Sequence, residues 1–138
     1  MKVVRYHEKG GPEVLQLEEV PDPQPDEGQA LLRIDAVAIG YADVLRRSGG
    51  YHPVPAPLPH IPGRQVVGTV ERVGPGVDPS LIGKQVMGAV NGAYAEYGVA
   101  GASSLQPLPH GVGAVDALAI LSEAETAACI SLTICSMS

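Results

Sequence analysis

Up to about residue 110 the chain alternates apolar and polar positions with a period of two, the repeat of strands whose faces meet different surroundings. Val3 to Tyr6 predicts a first strand, closed by Gly10-Gly11-Pro12. Val14 to Val20 predicts a second, which Pro21-Asp22-Pro23-Gln24-Pro25 ends because proline brings no ladder donor. Gln29 to Ile39 is longer, with Leu32, Ile34, Ala36 and Ala38 on one face and Arg33 and Asp35 on the other. Tyr41 to Arg47 predicts a short helix: Tyr41, Val44 and Leu45 share a face, and Gly49-Gly50 stops it. Proline density forbids regular structure from Tyr51 to Gly63. Gln65 to Val73 returns to strand, Val67, Thr69, Glu71 and Val73 opposing Val66, Gly68 and Val70, and Gly74-Pro75-Gly76 turns the chain. Gln85 to Val90 and Ala93 to Val99 flank Asn91-Gly92, the dipeptide that most strongly predicts a two-residue hairpin. Beyond about Leu108 the period changes. Val115 to Cys129 is Ala-rich and predicts a helix, while Ile130 to Ile134 is compatible with strand, docked tail or coil.

Six or more short strands with turns at this spacing predict a mainly β fold, a barrel or a sandwich, with one or two short helices. The chain has 138 residues, enough for one domain with a core. Its 17 Gly and 13 Pro are about twice ordinary usage, in keeping with short elements and frequent turns. Phe and Trp are absent, so the core is expected to consist of Val, Ile, Leu and Ala. The formal net charge of −6 argues against a partner that needs a broad positive face, so neither nucleic acid nor an anionic membrane surface is expected. Met1-Lys2-Val3-Val4-Arg5 places charges inside any would-be leader, and no apolar run reaches membrane-spanning length. With only two cysteines, Cys129 and Cys135, a cytoplasmic location is expected.

Little in the residues themselves points to chemistry. His7, His52, His60 and His110 are scattered, so no metal site is expected, and no nucleophile elbow or phosphate loop occurs. Gly111-Val112-Gly113 before a helical stretch faintly resembles a dinucleotide fingerprint. Pro107 and Pro109 rule out the central strand that such a loop must follow. Asp116 would place a carboxylate against the pyrophosphate, and the 25 residues after Gly113 fall short of the roughly 30 of a βαβ unit. No Rossmann domain is expected in these residues.

A family resemblance rests on several motifs taken in order. They are Gly10-Gly11-Pro12-Glu13-Val14-Leu15, Ala42-Asp43-Val44-Leu45-Arg46-Arg47-Ser48-Gly49-Gly50-Tyr51, Ile61-Pro62-Gly63-Arg64-Gln65-Val66-Val67-Gly68, Val73-Gly74-Pro75-Gly76-Val77 and Gly92-Ala93-Tyr94-Ala95-Glu96-Tyr97. Together they resemble the zinc-independent quinone oxidoreductases, zeta-crystallin type, of the medium-chain dehydrogenase/reductase superfamily. The resemblance runs to about Pro109 and implies a GroES-like, partly open β-barrel over residues 1–112. Residues 113–138 would be a tail, the start of the family's linker helix with a divergent end. Family members add a Rossmann domain that holds NADPH and work in the cleft between the two domains. The resemblance therefore implies the substrate-side domain of an NADPH-dependent quinone or enone reductase, a hydride-transfer enzyme expected to be inactive without the nucleotide domain and not to bind NADPH alone.

In the zinc-dependent relatives the metal ligands would fall at Gly40, Arg64 and Gln65, so the resemblance also implies no zinc. Gly40 stands where the quinone reductases commonly carry Asn near the nicotinamide. Gly40, Tyr41 and Ala42 are the implied cofactor-side residues, and Tyr41 and Tyr51 the implied catalytic candidates. A phenol there could donate to the substrate oxygen as negative charge builds on it, although its pKa near 10 makes it a modest acid. Tyr41 packed into the barrel with its hydroxyl at the rim is the competing expectation. For Asp43 a favourable charge at the start of a helix suffices, and Arg46, Arg47 and Arg64 are expected to pair with carboxylates. A non-enzymatic barrel, or a truncated product that self-associates through exposed surface as a homo-oligomer, is the alternative reading.

Overall fold

The long strands expected at Gln29 and Gln65 become the centre of a five-stranded antiparallel sheet. The computed structural model describes residues 1–50 and 56–121. In chain order the strands are β1 (Lys2–Arg5), β2 (Gln16–Glu19), β3 (Gln29–Val37), β4 (Gln65–Val73), β5 (Gln85–Ala89), β6 (Tyr97–Gly101) and β7 (Gln106–Pro107). Helix α1 spans Tyr41–Ser48, and residues 114–121 form a second helix, α2. The large sheet runs β6-β3-β4-β5-β7, and β1 pairs with β2 in a separate ribbon. The fold is mainly β and partly open, as the resemblance implies.

Alternation along β3 and β4 puts Ala30, Leu32, Val66 and Val70 on one side, where they are buried with Val86, Val90, Ala93 and Ala100. This core is wholly aliphatic. Tyr6 is the exception to the expected composition: it is buried away from this cluster, and its hydroxyl has no hydrogen-bond partner among the described residues.

Three local expectations change. Pro12, at the first position of a turn of 3₁₀ helix over Pro12–Val14, delays the second strand to Gln16. On β3 the single expected face is broken by a bulge. Ile34 pairs with Gly68 and Ala36 with Val67, so Asp35 is the extra residue. Ile34 therefore stays on the main core, whereas Ala36 and Ala38 turn to a second cluster around Val67, Ala117 and Leu118. The Asp35 carboxylate accepts from the Thr69 hydroxyl at 2.8 Å and from Gln85 Nε2 at 3.3 Å across the neighbouring strands.

The hairpin expected at Asn91-Gly92 does not form: Gly92 has φ +75°, but the strands on either side do not pair with each other. β5 joins β4 and β7, while β6 joins β3. Between them the chain lies along the 62–64 segment: Val90 N–H donates to the Arg64 carbonyl and Tyr94 N–H to the Pro62 carbonyl. The local Asn-Gly signal is overridden: the chain continues along the segment it already pairs with, and each strand takes the partner that completes a buried face.

In the C-terminal region α2 packs onto the sheet, burying Ala117 and Leu118 against Val67. The remainder of the expected helix, and Ile130 to Ile134, lie outside the described residues.

Candidate functional site

The end of β3 runs through Ala38 and Ile39 to Gly40, the N-cap of α1. α1 starts here because Gly40 is extended (φ −106°, ψ 156°) and Asp43 stands at the third helical position, where its Oδ2 accepts the Gly40 N–H at 3.2 Å. It ends at Gly49, whose left-handed backbone (φ +85°) allows the terminal turn. Arg46 and Arg47 in the last turn complement the helix dipole, and Arg47 Nε donates to the Gly10 carbonyl at 3.4 Å.

The candidate residues Gly40, Tyr41 and Ala42 all stand on an exposed edge. Tyr41 is 74% exposed and Ile39 77%, so Tyr41 does not pack into the barrel. Nothing in its backbone makes Gly40 necessary. Among the described residues a Cβ there would meet only Asp43 Oδ2, at 3.8 Å, so the missing side chain leaves space beside Tyr41 that no described residue fills. Tyr51 lies outside the described residues.

Beneath this edge sits a group whose members the sequence analysis treats one by one and does not bring together. Asp43 Oδ1 accepts the Gly63 N–H at 3.2 Å. Gly63 has φ +91°, and a Cβ on it would lie 2.6 Å from Tyr94 Cδ1, so only glycine lets the backbone approach the Tyr94 ring this closely. His60 and Tyr6 exchange backbone hydrogen bonds at 3.0 and 3.1 Å, and their rings meet edge-on with centroids 5.5 Å apart. Burial raises the Tyr6 and Tyr94 phenols above 10, and burial followed by the Arg46 charge lowers His60 below 6.5. Asp43, Gly63 and Tyr94 each fall in one of the motifs that carry the resemblance, but nothing in the residue order brings the three together. The pairing of Tyr6 with His60 bridges segments more than fifty residues apart and leaves no sequence signal.

On the far side of Ile39 an open groove of about 530 Å³ is lined chiefly by Val4, Leu17, Val37, Ile39, Ala93 and Tyr94. Lys2, Asp35 and Glu96 also border it. Its size and apolar lining suit a ring-shaped ligand, with few polar groups to orient it.

The described residues offer a cofactor an edge and no cradle. Gly111 to Gly113 lead into α2, but the strand before them is the two-residue β7, which carries Pro107 and runs antiparallel to β5. That is not the parallel strand-to-helix turn that holds a pyrophosphate. The open space at Gly40 fits the approach of a nicotinamide ring; nothing among the described residues fits its diphosphate. No three His, Cys, Asp or Glu side chains converge as metal ligands among the described residues, and no described helix is long and apolar enough to cross a membrane.

Comparison with known proteins gives this geometry a family. The alcohol dehydrogenase GroES-like domain family matches residues 26–129. The quinone oxidoreductase of Rattus norvegicus is 38% identical over 112 residues, covering 79% of this chain and 34% of that protein. Among solved structures, a mycobacterial quinone oxidoreductase superposes with a TM-score of 0.73 at 39% identity, covering 83% of this chain and 35% of the other. The Escherichia coli quinone oxidoreductase complexed with NADPH gives 0.71 at 31% identity, covering 82% and 35%. The chain thus spans about a third of the length of the relatives it matches.

Proposed function

The chain belongs to the alcohol dehydrogenase GroES-like domain family, and from that premise we propose that it is the substrate-side unit of a zinc-free, NADPH-dependent quinone or enone oxidoreductase. The observation that carries the reading is the similarity to quinone oxidoreductases over nearly the whole described barrel, together with the exposed Gly40–Ala42 edge where that similarity implies the reacting groups stand. NADPH supplies a hydride when bound. The work of this chain is to seat an apolar ring against the Ile39 groove, to leave room at Gly40, and to offer a phenol to the substrate oxygen as negative charge builds there. Tyr41, free of packing and adjacent to the N-cap, is the described residue suited to that donation; Tyr51 is the second candidate. A cytoplasmic location fits this reading.

The reading includes, as the resemblance implies, that hydride transfer requires a nucleotide-binding unit beside this one, because catalysis needs the nicotinamide held against the substrate. Fluorescence titration of the purified chain with NADPH, and with NADH for comparison, is expected to show no saturable binding, and quinone added with NADPH no turnover. Micromolar binding that prefers NADPH would overturn this part of the reading. A second reading, a non-enzymatic barrel that self-associates, is favoured by the exposure of Leu17 and Ile39 around one groove.

A further inference from the structure

We propose that Asp43 is the positioning residue of this edge: its carboxylate ties the N-cap of α1 to the Gly63 turn and thereby fixes where Gly40 and Tyr41 stand. The proposal rests on the reading of Gly40–Ala42 as the edge that meets substrate. Both oxygens of Asp43 are engaged by backbone donors from different segments, Oδ2 by Gly40 N–H and Oδ1 by Gly63 N–H, each at 3.2 Å. The Asp43 N–H in turn donates to the Gly40 carbonyl at 3.1 Å, closing a small ring around the N-cap. The other end of the clamp is anchored. Gly63 lies against the Tyr94 ring, its carbonyl accepts from Ala93 N–H, and the neighbouring Pro62 carbonyl accepts from Tyr94 N–H. Tyr94 is joined in turn to β1 by the hydrogen bond from Val4 N–H to its carbonyl. One carboxylate thus refers the start of α1 to the body of the barrel. Tyr41, 74% exposed, has no comparable anchor of its own and takes its place from the N-cap beside it.

An acidic residue in a first helical turn also stabilises a helix through charge alone, and the two roles separate experimentally. The test uses the whole ¹⁵N-labelled 138-residue chain titrated with 1,4-naphthoquinone and followed by amide shifts at Tyr41 and Ala42. Asp43→Asn keeps one good acceptor, and Asp43→Ala keeps none. Binding is expected to weaken about threefold in the Asn variant and about tenfold in the Ala variant, with Gly40 and Gly63 amides exchanging faster in the same order. Amide protection in β3 and β4 should be unchanged, and the ordering should persist in 1 M salt, where a charge–dipole effect is screened. An Ala variant that binds the quinone at Tyr41 as tightly as the parent chain overturns the proposal, as does an effect that disappears in high salt. If the Ala variant fails to fold, the Asn variant decides by the same criteria. A parent chain that shows no shift at Tyr41 or Ala42 defeats the substrate-edge reading itself, and the positioning role with it.

Discussion

His60 couples one edge of the barrel to pH through a single ring. Its imidazole lies edge-on to the buried Tyr6, and burial, reinforced by the Arg46 charge and opposed by Asp43, holds its pKa below the usual 6.5. The unfolded chain therefore takes up this proton at a higher pH than the folded one. Above 6.5 the imidazole is neutral in both states and contributes no slope. As pH falls below 6.5 the unfolded state binds more protons, and stability is lost until the folded-state pKa is passed. The urea midpoint should decline over that window, and His60→Phe, which keeps a ring against Tyr6, should flatten the decline. An equally steep decline in the variant would assign it to other groups. Glu18 is not among the candidates for this window. Its carboxyl is held low by hydrogen bonds from His7 and Arg5, so its contribution is lost only as pH falls below 4.5. Neither the depressed imidazole nor the Asp43 clamp was visible in the residue order, because each depends on what a distant segment brings alongside.

Among the elements, α2 shows why alternation on β4 is an incomplete guide. Alternation at Val66-Val67-Gly68 puts the two valines on opposing faces, yet both are fully buried. Val66 faces the aliphatic core and Val67 the second cluster, which α2 covers with Ala117 and Leu118. Leu118→Ala should lower the unfolding free energy by about 2–3 kcal/mol in urea titration, since it opens a cavity over Val67. Val115→Ala, on the exposed side of the same helix, should change it by no more than about 0.5 kcal/mol. Equal effects from the two would mean that α2 does not dock as described. The strands themselves were legible: β1, β3, β4 and β5 fall within a residue or two of the positions that alternation and turn residues mark. The bulge at Asp35 and the separate partners of the strands on either side of Asn91-Gly92 were not, since both arise from pairing between strands and leave the local pattern intact.

For the whole molecule, the exposed apolar residues around the groove bear on association. Leu17 and Ile39 line the same opening and are 70% and 77% exposed. The homo-oligomer expectation therefore becomes specific: light scattering should give a mass that rises with concentration, and the double variant Leu17→Ser, Ile39→Ser should return it to that of a monomer. A parent chain that stays monomeric across the concentration range would exclude association through this face. The sequence by itself determined the mainly β class, the aliphatic core and the start and stop of α1. These follow from period, composition and the few residues that end strands and cap helices, all of which act over a handful of neighbours. Motif order likewise carried the family. Only the tertiary structure decided which strands pair, which side of β3 changes at Asp35, that α2 seals the outer face at Val67, and that Asp43 joins Gly40 to Gly63. Each of those depends on burying a face or satisfying a backbone donor across a long loop, a choice made by the assembled surfaces and not by any short stretch of chain.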